Sequence, residues 1–384
     1  MLVLMKVVVA IDSFKGSLSS AEAGEAARAG VLRAEPDAEV RVVPVADGGE
    51  GTVDALLRAV PGRRVIAPTL DAVGRPVEAA YALLADGPTA VVEAASCVGL
   101  AQVGRVDAEL PPRAGSAGVG LLLRHALDGG ARRVAVTLGG TACTDGGLGM
   151  LVALGARVVD DSGRPVPAAG ANPLWRFGSL DPASLPDLAG VELLVLSDVD
   201  SPLHGPRGAA HVFGPQKGAT PEQVQHLDER LAAWGVALAA AGRPVAERPG
   251  AGAAGGLGAA LLALGARREP GFDHVARTVG LPAAMAGADL VLTGEGRLDG
   301  QTVHGKTPAG VAALAREAGA VVVALAGSVE EGAGAPFDAA FGVHPGPLPL
   351  AQAMDPVVTA AGITRTSAEV IRLVGALARR TGRP

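Results

Sequence analysis

Lysine is nearly missing from this chain of 384 residues: of 33 basic residues only four are Lys, at 6, 15, 217 and 306, and Asn172 is the lone asparagine. Arginine otherwise replaces lysine, so a surviving Lys either marks a place where a compact point charge is needed that the broad guanidinium fork does not supply, or is there by chance. Three of the four sit in Gly-rich loops. Aromatic residues are also few, with six Phe, two Trp and one Tyr, and the net charge is −6. That leaves neither a basic field nor stacking platforms, which speaks against nucleic acid as a partner.

Cysteine is scarce too. Cys97 and Cys143 cannot build a disulfide framework, and neither has a close Cys or His neighbour of the kind a zinc site needs. Long apolar runs are absent. The opening MLVLMKVVVAI contains Lys6 and runs straight into Asp12, so it reads as a buried strand rather than a signal peptide or membrane span, with Met1 and Met5 both possible starts. Between Arg248 and Arg267 no residue is charged, but six of those eighteen residues are Gly. A cytoplasmic location is expected. What is abundant excludes other classes: 49% apolar residues with 55 Gly and 28 Pro exclude disorder, collagen and coiled coil.

The length suits two or three domains. Both chain ends alternate in the βα manner. Apolar runs at 7–11 and 40–45 frame a Ser-capped helix over 20–34, and a second helix follows over 51–59. Near the other end, apolar runs at 290–292, 321–327 and 339–343 alternate with a helix from Pro308 and a last helix near 365–380. Such alternation implies parallel strands in a right-handed wrap. Residues 63–94 differ, showing three extended runs with the hairpin-like DAVGRPV between two of them, and DDSGRPV recurs at 160–166. Helical patterns follow near 113–128, 146–154, 221–241 and 253–265. The expected fold is α/β: a Rossmann-like domain from 1–62 plus 286–384 with a mixed α/β domain, 63–285, inserted, and the active site in the cleft between them.

Two formal motifs point elsewhere. Gly300 to Thr307 matches G-x-x-x-x-G-K-T, the P-loop pattern, but TGEGRLD separates it from the apolar run at 290–292 and Pro308 follows at once. Gly250 to Gly255 matches a dinucleotide fingerprint, but Pro249 and polar residues precede it instead of a strand. These readings would make the chain a P-loop nucleotide-binding switch or a nicotinamide-dependent hydroxyacid dehydrogenase, and the context disfavours both. A Gly-rich turn opening a helix can still cradle an anion, although glycine there equally serves close packing.

Several further loops join Gly to short polar or charged residues: DSFKGSL at 12–18, ADGGEGT at 46–52, LGGTACTDGG at 138–147, SDVDSPL at 197–203, FGPQKGA at 213–219 and TGEGRLDGQTVHGK at 293–306. Any one could be an ordinary capped turn, with Asp12 or Asp47 as the cap. Together, carboxylates, lysines and amide-rich turns without a Ser-His or Cys-His pairing suggest phosphoryl transfer, which needs charge neutralisation and positioning more than a covalent nucleophile.

These loops, with PGAGAAGGLGAAL at 249–261 and in this order, resemble the glycerate kinase type 1 family over essentially the whole chain. The resemblance implies phosphorylation of D-glycerate by ATP with Mg²⁺, usually to 2-phosphoglycerate, on a two-domain fold. Two positions depart from the family pattern: Ser201 stands where Asn is usual, and Leu121 where Glu is usual. Chemistry then suggests roles. Asp198 is the expected base, and Lys217 and Lys306 would neutralise the transferring phosphate. Lys15 and Arg297 would hold the glycerate carboxylate, with Ser13 and Asp47 on its hydroxyls. Gly139, Gly140 and Thr141, with the amides of Gly252, Gly255 and Gly256, would cradle the ATP phosphates, and Asp145, Glu295 and Asp299 are the metal candidates. Partners beyond these small molecules are not expected, save a further copy of the chain.

Overall fold

The computed structural model describes residues 5–300 and 307–381. Thirteen strands occur among them: β1 (Lys6–Ile11), β2 (Glu39–Val42), β3 (Gly62–Leu70), β4 (Pro76–Leu84), β5 (Thr89–Glu93), β6 (Arg133–Thr137), β7 (Val158–Val159), β8 (Ser179–Leu180), β9 (Glu192–Leu196), β10 (Arg267–Glu269), β11 (Leu290–Leu298), β12 (Val321–Val329) and β13 (Ala339–Gly342). The chain divides into two compact units, one comprising residues up to Asp47, Asp54–Val60 and Phe272 onward, the other Gly48–Val53 and Pro61–Gly271.

The first unit is a Rossmann-like layer drawn from both chain ends. Its sheet has the order β13-β12-β11-β1-β2, parallel throughout. Val7, Val9 and Ile11 of β1, with Leu290, Leu292, Val323 and Leu325, form its core, since a parallel strand covered on both faces reads as a continuous apolar run. The helix Ser20–Ala34 starts in a capping box, in which Ser19 Oγ accepts from the Glu22 amide and Glu22 accepts from the Ser19 amide. It packs on the last helix, Pro356–Thr381, and a Cβ at Gly30 would lie 2.2 Å from the Thr364 carbonyl oxygen. Glycine at that position is therefore a condition of the helix contact.

Two readings of this unit change. The last helix begins at Pro356 rather than near 365, its first turn seeded by the Asp355 carboxylate accepting from the Val357 and Val358 amides. More consequentially, β11 runs on to Leu298, because Gly294 to Leu298 keep pairing with Leu325 to Val329 of β12. Gly294 permits this: a Cβ there would sit 1.8 Å from the Leu325 oxygen. The separation used above to set aside the P-loop pattern thus shrinks, since a strand ends at Leu298 and a helix starts at Thr307. Residues 301–306 between them lie outside the described residues.

The second unit is the mixed α/β part. Its six-stranded sheet runs β10-β9-β6-β5-β4-β3, antiparallel for β3-β4 and β4-β5 and parallel from β5 to β10. DAVGRPV is a hairpin turn between β3 and β4, closed by Asp71 accepting from the Val73 and Arg75 amides. DDSGRPV repeats that device beyond β7, with Asp160 accepting from Ser162 and Arg164. The core centres on Trp234 of the helix Pro221–Ala240, whose indole N–H donates to the Gly146 carbonyl at 3.0 Å. Among the described residues no helix is long and apolar enough to cross a membrane.

Candidate active site

In an open α/β sheet, ligands bind beyond the carboxyl ends of the strands where the strand order reverses. In the first unit that point lies between β1 and β11, since the chain leaves β1 for β2 on one side while β11 and β12 lie on the other. A pocket of about 420 Å³ opens there, lined by Asp12, Ser13, Lys15, Asp47, Glu295, Arg297 and Asp299 among others. Every substrate residue expected from sequence, and two of the three metal candidates, line this one pocket.

Backbone geometry explains the convergence. Asp12 directly follows β1, and its amide donates to the Gly294 carbonyl at 2.8 Å. Glu295 and Arg297 are two apart in the extended β11 and so share a face of the sheet. They therefore belong to a strand, not to the loop expected at 293–306. Arg297 is ion-paired to Glu330 and approaches Asp299 at 4.0 Å. Among the described residues no hydrogen bond or ion pair engages the exposed Lys15 ammonium.

Asp12 is the residue sequence reasoning undervalued. It accepts from the Ser13 amide at 2.6 Å and is 8% exposed, and among the described residues it caps no helix. Burial, and then the negative charge of Asp47, push its carboxyl up to about 7. The signal was present: a carboxylate placed at the end of an apolar strand run. Beside it lies the buried Thr307 hydroxyl, whose hydrogen bond to the carboxyl draws the Asp12 pKa part of the way back down.

In the second unit the loop after β6 carries Gly139, Gly140 and Thr141. The Gly140 carbonyl accepts from the Leu100 amide and Val98 accepts from Ala142. Among the described residues no acceptor in the fold takes the amides of Gly139, Gly140 or Thr141. Gly140 is exposed with φ +71°, and a Cβ there would meet nothing closer than 3.6 Å. Glycine is needed at that position for its backbone angle, and the amides stay available to an anion.

Lys217 lies beneath this loop. It is 4% exposed, its Nζ donates to the Cys143 carbonyl at 2.6 Å and lies 3.5 Å from Thr141 Oγ1, and burial lowers its pKa. The geometry makes it a support of the loop instead of a cation open to phosphate. Asp145 is likewise buried, not open to a metal: its oxygens accept from the Ser116 amide and hydroxyl and from the Gly147 and Gly149 amides. Burial still raises its pKa against those bonds.

Gly252, Gly255 and Gly256 depart from the cradle expected of them. The Gly252 amide donates to Ser201 O at 2.9 Å, and the Gly256 amide donates to Gly252 O. A Cβ would meet Pro202 O at 2.2 Å from Gly252 and Cys143 O at 2.1 Å from Gly255. Close packing of backbone on backbone is what these glycines serve.

Asp198 stands exposed after β9, and its Oδ1 accepts from the Gly271 amide at 2.9 Å. Glu93, not singled out from sequence, closes β5 and accepts from the Val53 amide at 2.6 Å. Burial pushes its carboxyl up to about 7. Glu93 thus holds the end of the ADGGEGT loop, whose Gly49 packs so closely on Gly139 that a Cβ at 139 would lie 2.7 Å from its Cα. Lys306 lies outside the described residues.

The donor chemistry fits a hard cation. Carboxylates outnumber cations in the first unit's pocket, four (Asp12, Asp47, Glu295, Asp299) against two (Lys15, Arg297). Among the described residues no three His, Cys, Asp or Glu side chains converge as a preformed metal cage. Mg²⁺ needs none, since it is held by one or two carboxylates together with substrate phosphates.

Comparison with known proteins agrees with this arrangement. The family-level description of glycerate kinases matches residues 7–375. A glycerate kinase of Bacillus subtilis (strain 168) is 44% identical over 359 residues, 91% of this chain and 93% of the relative. A glycerate 2-kinase of Escherichia coli (strain K12) is 40% identical over 333 residues, covering 86% and 87%. A crystal structure described as a candidate glycerate kinase 2 of Salmonella typhimurium LT2 superposes with a TM-score of 0.82 at 39% identity, covering 98% of this chain and all of that one. A parallel sheet with a carboxylate-lined pocket at its switch point, a second unit whose Gly139–Thr141 amides meet no acceptor among the described residues, and likeness along nearly the full length lead to one conclusion: this chain belongs to the glycerate kinase family.

Proposed function

We propose that the enzyme, as a type 1 member, transfers the γ-phosphoryl group of ATP to the C2 hydroxyl of D-glycerate, giving 2-phosphoglycerate and ADP. The observation that carries this reading is the pocket at the ends of β1 and β11, where Ser13, Lys15, Asp47 and Arg297 meet. Lys15 and Arg297 would hold the acid's carboxylate and Ser13 and Asp47 its hydroxyls, by charge-assisted hydrogen bonds. The amides of Gly139, Gly140 and Thr141, without an acceptor among the described residues, suit the nucleotide's phosphates, as backbone amides do in other anion sites. Lys306 is a second phosphate ligand in this proposal.

Glu295 and Asp299 would hold Mg²⁺, which supplies charge neutralisation to the phosphates when bound. Asp198 is the proposed acceptor of the hydroxyl proton, its carboxylate oriented by the Gly271 amide. Asp12 is a second candidate for that role, favoured by its position in the acid pocket and by a pKa near working pH. Lys217 acts through the Gly139–Thr141 loop, and Asp145 through the turn that it bonds at Ser116, Gly147 and Gly149.

ADP release measured with Mg²⁺ and ATP, with D-glycerate, L-glycerate or no acid, tests the reading, and phosphorus NMR identifies the product. Turnover dependent on D-glycerate with a single C2 phosphate ester is expected. Turnover indifferent to the acid would leave a nucleotide switch, and a nicotinamide absorbance change with glycerate would point to a dehydrogenase.

A further inference from the structure

A three-carbon acid touches only part of the first unit's pocket. At about 420 Å³ the cavity falls in the range, roughly 300–1,000 Å³, that holds drug-sized ligands. Beside the polar groups lie Phe14, Leu350, Ala353 and Met354, which the contacts assigned to D-glycerate leave unused. Leu350 is 73% exposed and Met354 38% exposed, so two large apolar side chains stand open to water at the edge of a polar site. Exposed apolar surface rimmed by converging polar groups marks a binding surface.

This apolar wall is fixed to the acid-binding loop. Ser17 Oγ donates to Thr359 Oγ1 at 2.9 Å, and Thr359 Oγ1 in turn reaches the Ala353 carbonyl at 3.0 Å. Met354 lies over Gly16, where a Cβ would come within 2.7 Å of its terminal methyl carbon. Phe14, between Ser13 and Lys15 in sequence, is 3% exposed and backs the wall from the same loop. Groups that grip the carboxylate and diol and groups that present apolar surface are thereby parts of one assembly.

We propose that this wall is a subsite for an alkyl group, and that the pocket binds 2,3-dihydroxy acids alkylated at C3 in competition with D-glycerate. The inference rests on the reading of Ser13, Lys15, Asp47 and Arg297 as the acid site. An alkyl substituent leaves the carboxylate and both hydroxyls free for those contacts and places its carbons on Leu350 and Met354. A longer polyol acid would instead set hydroxyls against those side chains without partners, which costs the desolvation of each.

The probe is 2,3-dihydroxy-3-methylbutanoate, measured as an inhibitor of D-glycerate turnover and by calorimetry on the full chain. Competitive inhibition is expected, with a constant within about tenfold of the KM for D-glycerate, and the four-carbon polyol acid erythronate should bind about tenfold more weakly. Met354→Gln should lower the affinity ratio of the alkyl acid to D-glycerate by about tenfold. D-glycerate turnover with neither inhibition nor binding heat from the alkyl acid would overturn the proposal, as would an unchanged ratio in Met354→Gln or competition by adenosine in its place. Binding of the alkyl acid without any turnover of D-glycerate would instead strike the kinase reading and leave the alkyl subsite standing.

Discussion

The Lys217 ammonium and the Cys143 carbonyl oxygen meet at 2.6 Å in the interior of the second unit, so one of only four lysines serves the backbone of a loop. Replacing it by Met removes the charge and leaves the carbonyl without its donor. An unsatisfied buried acceptor costs about 1–3 kcal/mol. Lys217→Met is therefore expected to lower the melting temperature and to raise the KM for ATP, with the KM for D-glycerate nearly unchanged. Steady-state kinetics with each substrate varied check the split.

Glu93 gives a pH signature. Its folded pKa of about 7 lies above the ordinary glutamate value of 4.5, so folding favours the protonated form. The stability it contributes is complete below the unfolded pKa and is lost as pH rises through about 7. Glu93→Gln keeps an oxygen for the Val53 amide and carries no charge. It should be more stable than the parent at pH 8, by about 1–3 kcal/mol, and indistinguishable near pH 4. Urea unfolding at both pH values decides.

Two glycines separate packing from anion binding. Gly255→Ala places a Cβ 2.1 Å from a carbonyl oxygen at φ +69°, and should cost well over 2 kcal/mol or abolish folding. Gly140→Ala, at φ +71° in open space, should cost only about 1–2 kcal/mol while weakening nucleotide binding. Thermal melts with and without nucleotide distinguish the two.

Lys15 carries the clearest substrate prediction. Lys15→Ala removes a charge-assisted contact worth about 1.5–3 kcal/mol, so the KM for D-glycerate should rise about 10- to 100-fold with the melting temperature preserved. An unchanged KM would move the carboxylate elsewhere.

Asp198→Asn tests the proposed base. Turnover should fall by about 10²–10⁴-fold, with the Gly271 amide still bonded to the Asn oxygen and the fold intact. If turnover is retained, Asp12→Asn becomes the decisive variant. Lys306→Ala, at a position outside the described residues, should lower turnover by orders of magnitude, about 10²-fold or more.

Much of the first unit was legible. Val7 to Ile11 and Val321 to Ala326 are uninterrupted apolar runs, which only a parallel strand buried on both faces requires, and Ser19 with Glu22 marks a helix start to the residue. The end of β11 was not legible, because Gly-Glu-Gly-Arg carries no strand propensity; pairing with β12 imposes the extended form. Residues 272–285 were expected in the inserted domain, whereas Phe272 onward belongs to the first unit, and the helix Gly271–Thr278 was not among the expected helices. Amphipathic pattern names a helix but not the sheet it covers.

Residue type and nearness to a strand end grouped Ser13, Lys15, Asp47, Glu295, Arg297 and Asp299 in the sequence, and these six line one pocket of the first unit, since groups near the carboxyl ends of parallel strands share one edge of the sheet. Sequence alone thus determined the α/β class, the loops that carry charge and the family resemblance. Tertiary structure decided which charged residues face a pocket and which face the interior: Lys217 and Asp145 sit in Gly-rich loops like the others, yet one is bonded to Cys143 and the other to the Ser116, Gly147 and Gly149 amides. It likewise separated Gly140, held by its backbone angle, from Gly252 and Gly255, held by contact. The physical reason is that burial is a property of what lies across the gap from a residue. Neighbours distant along the chain supply it, and a local pattern of residue types does not encode them.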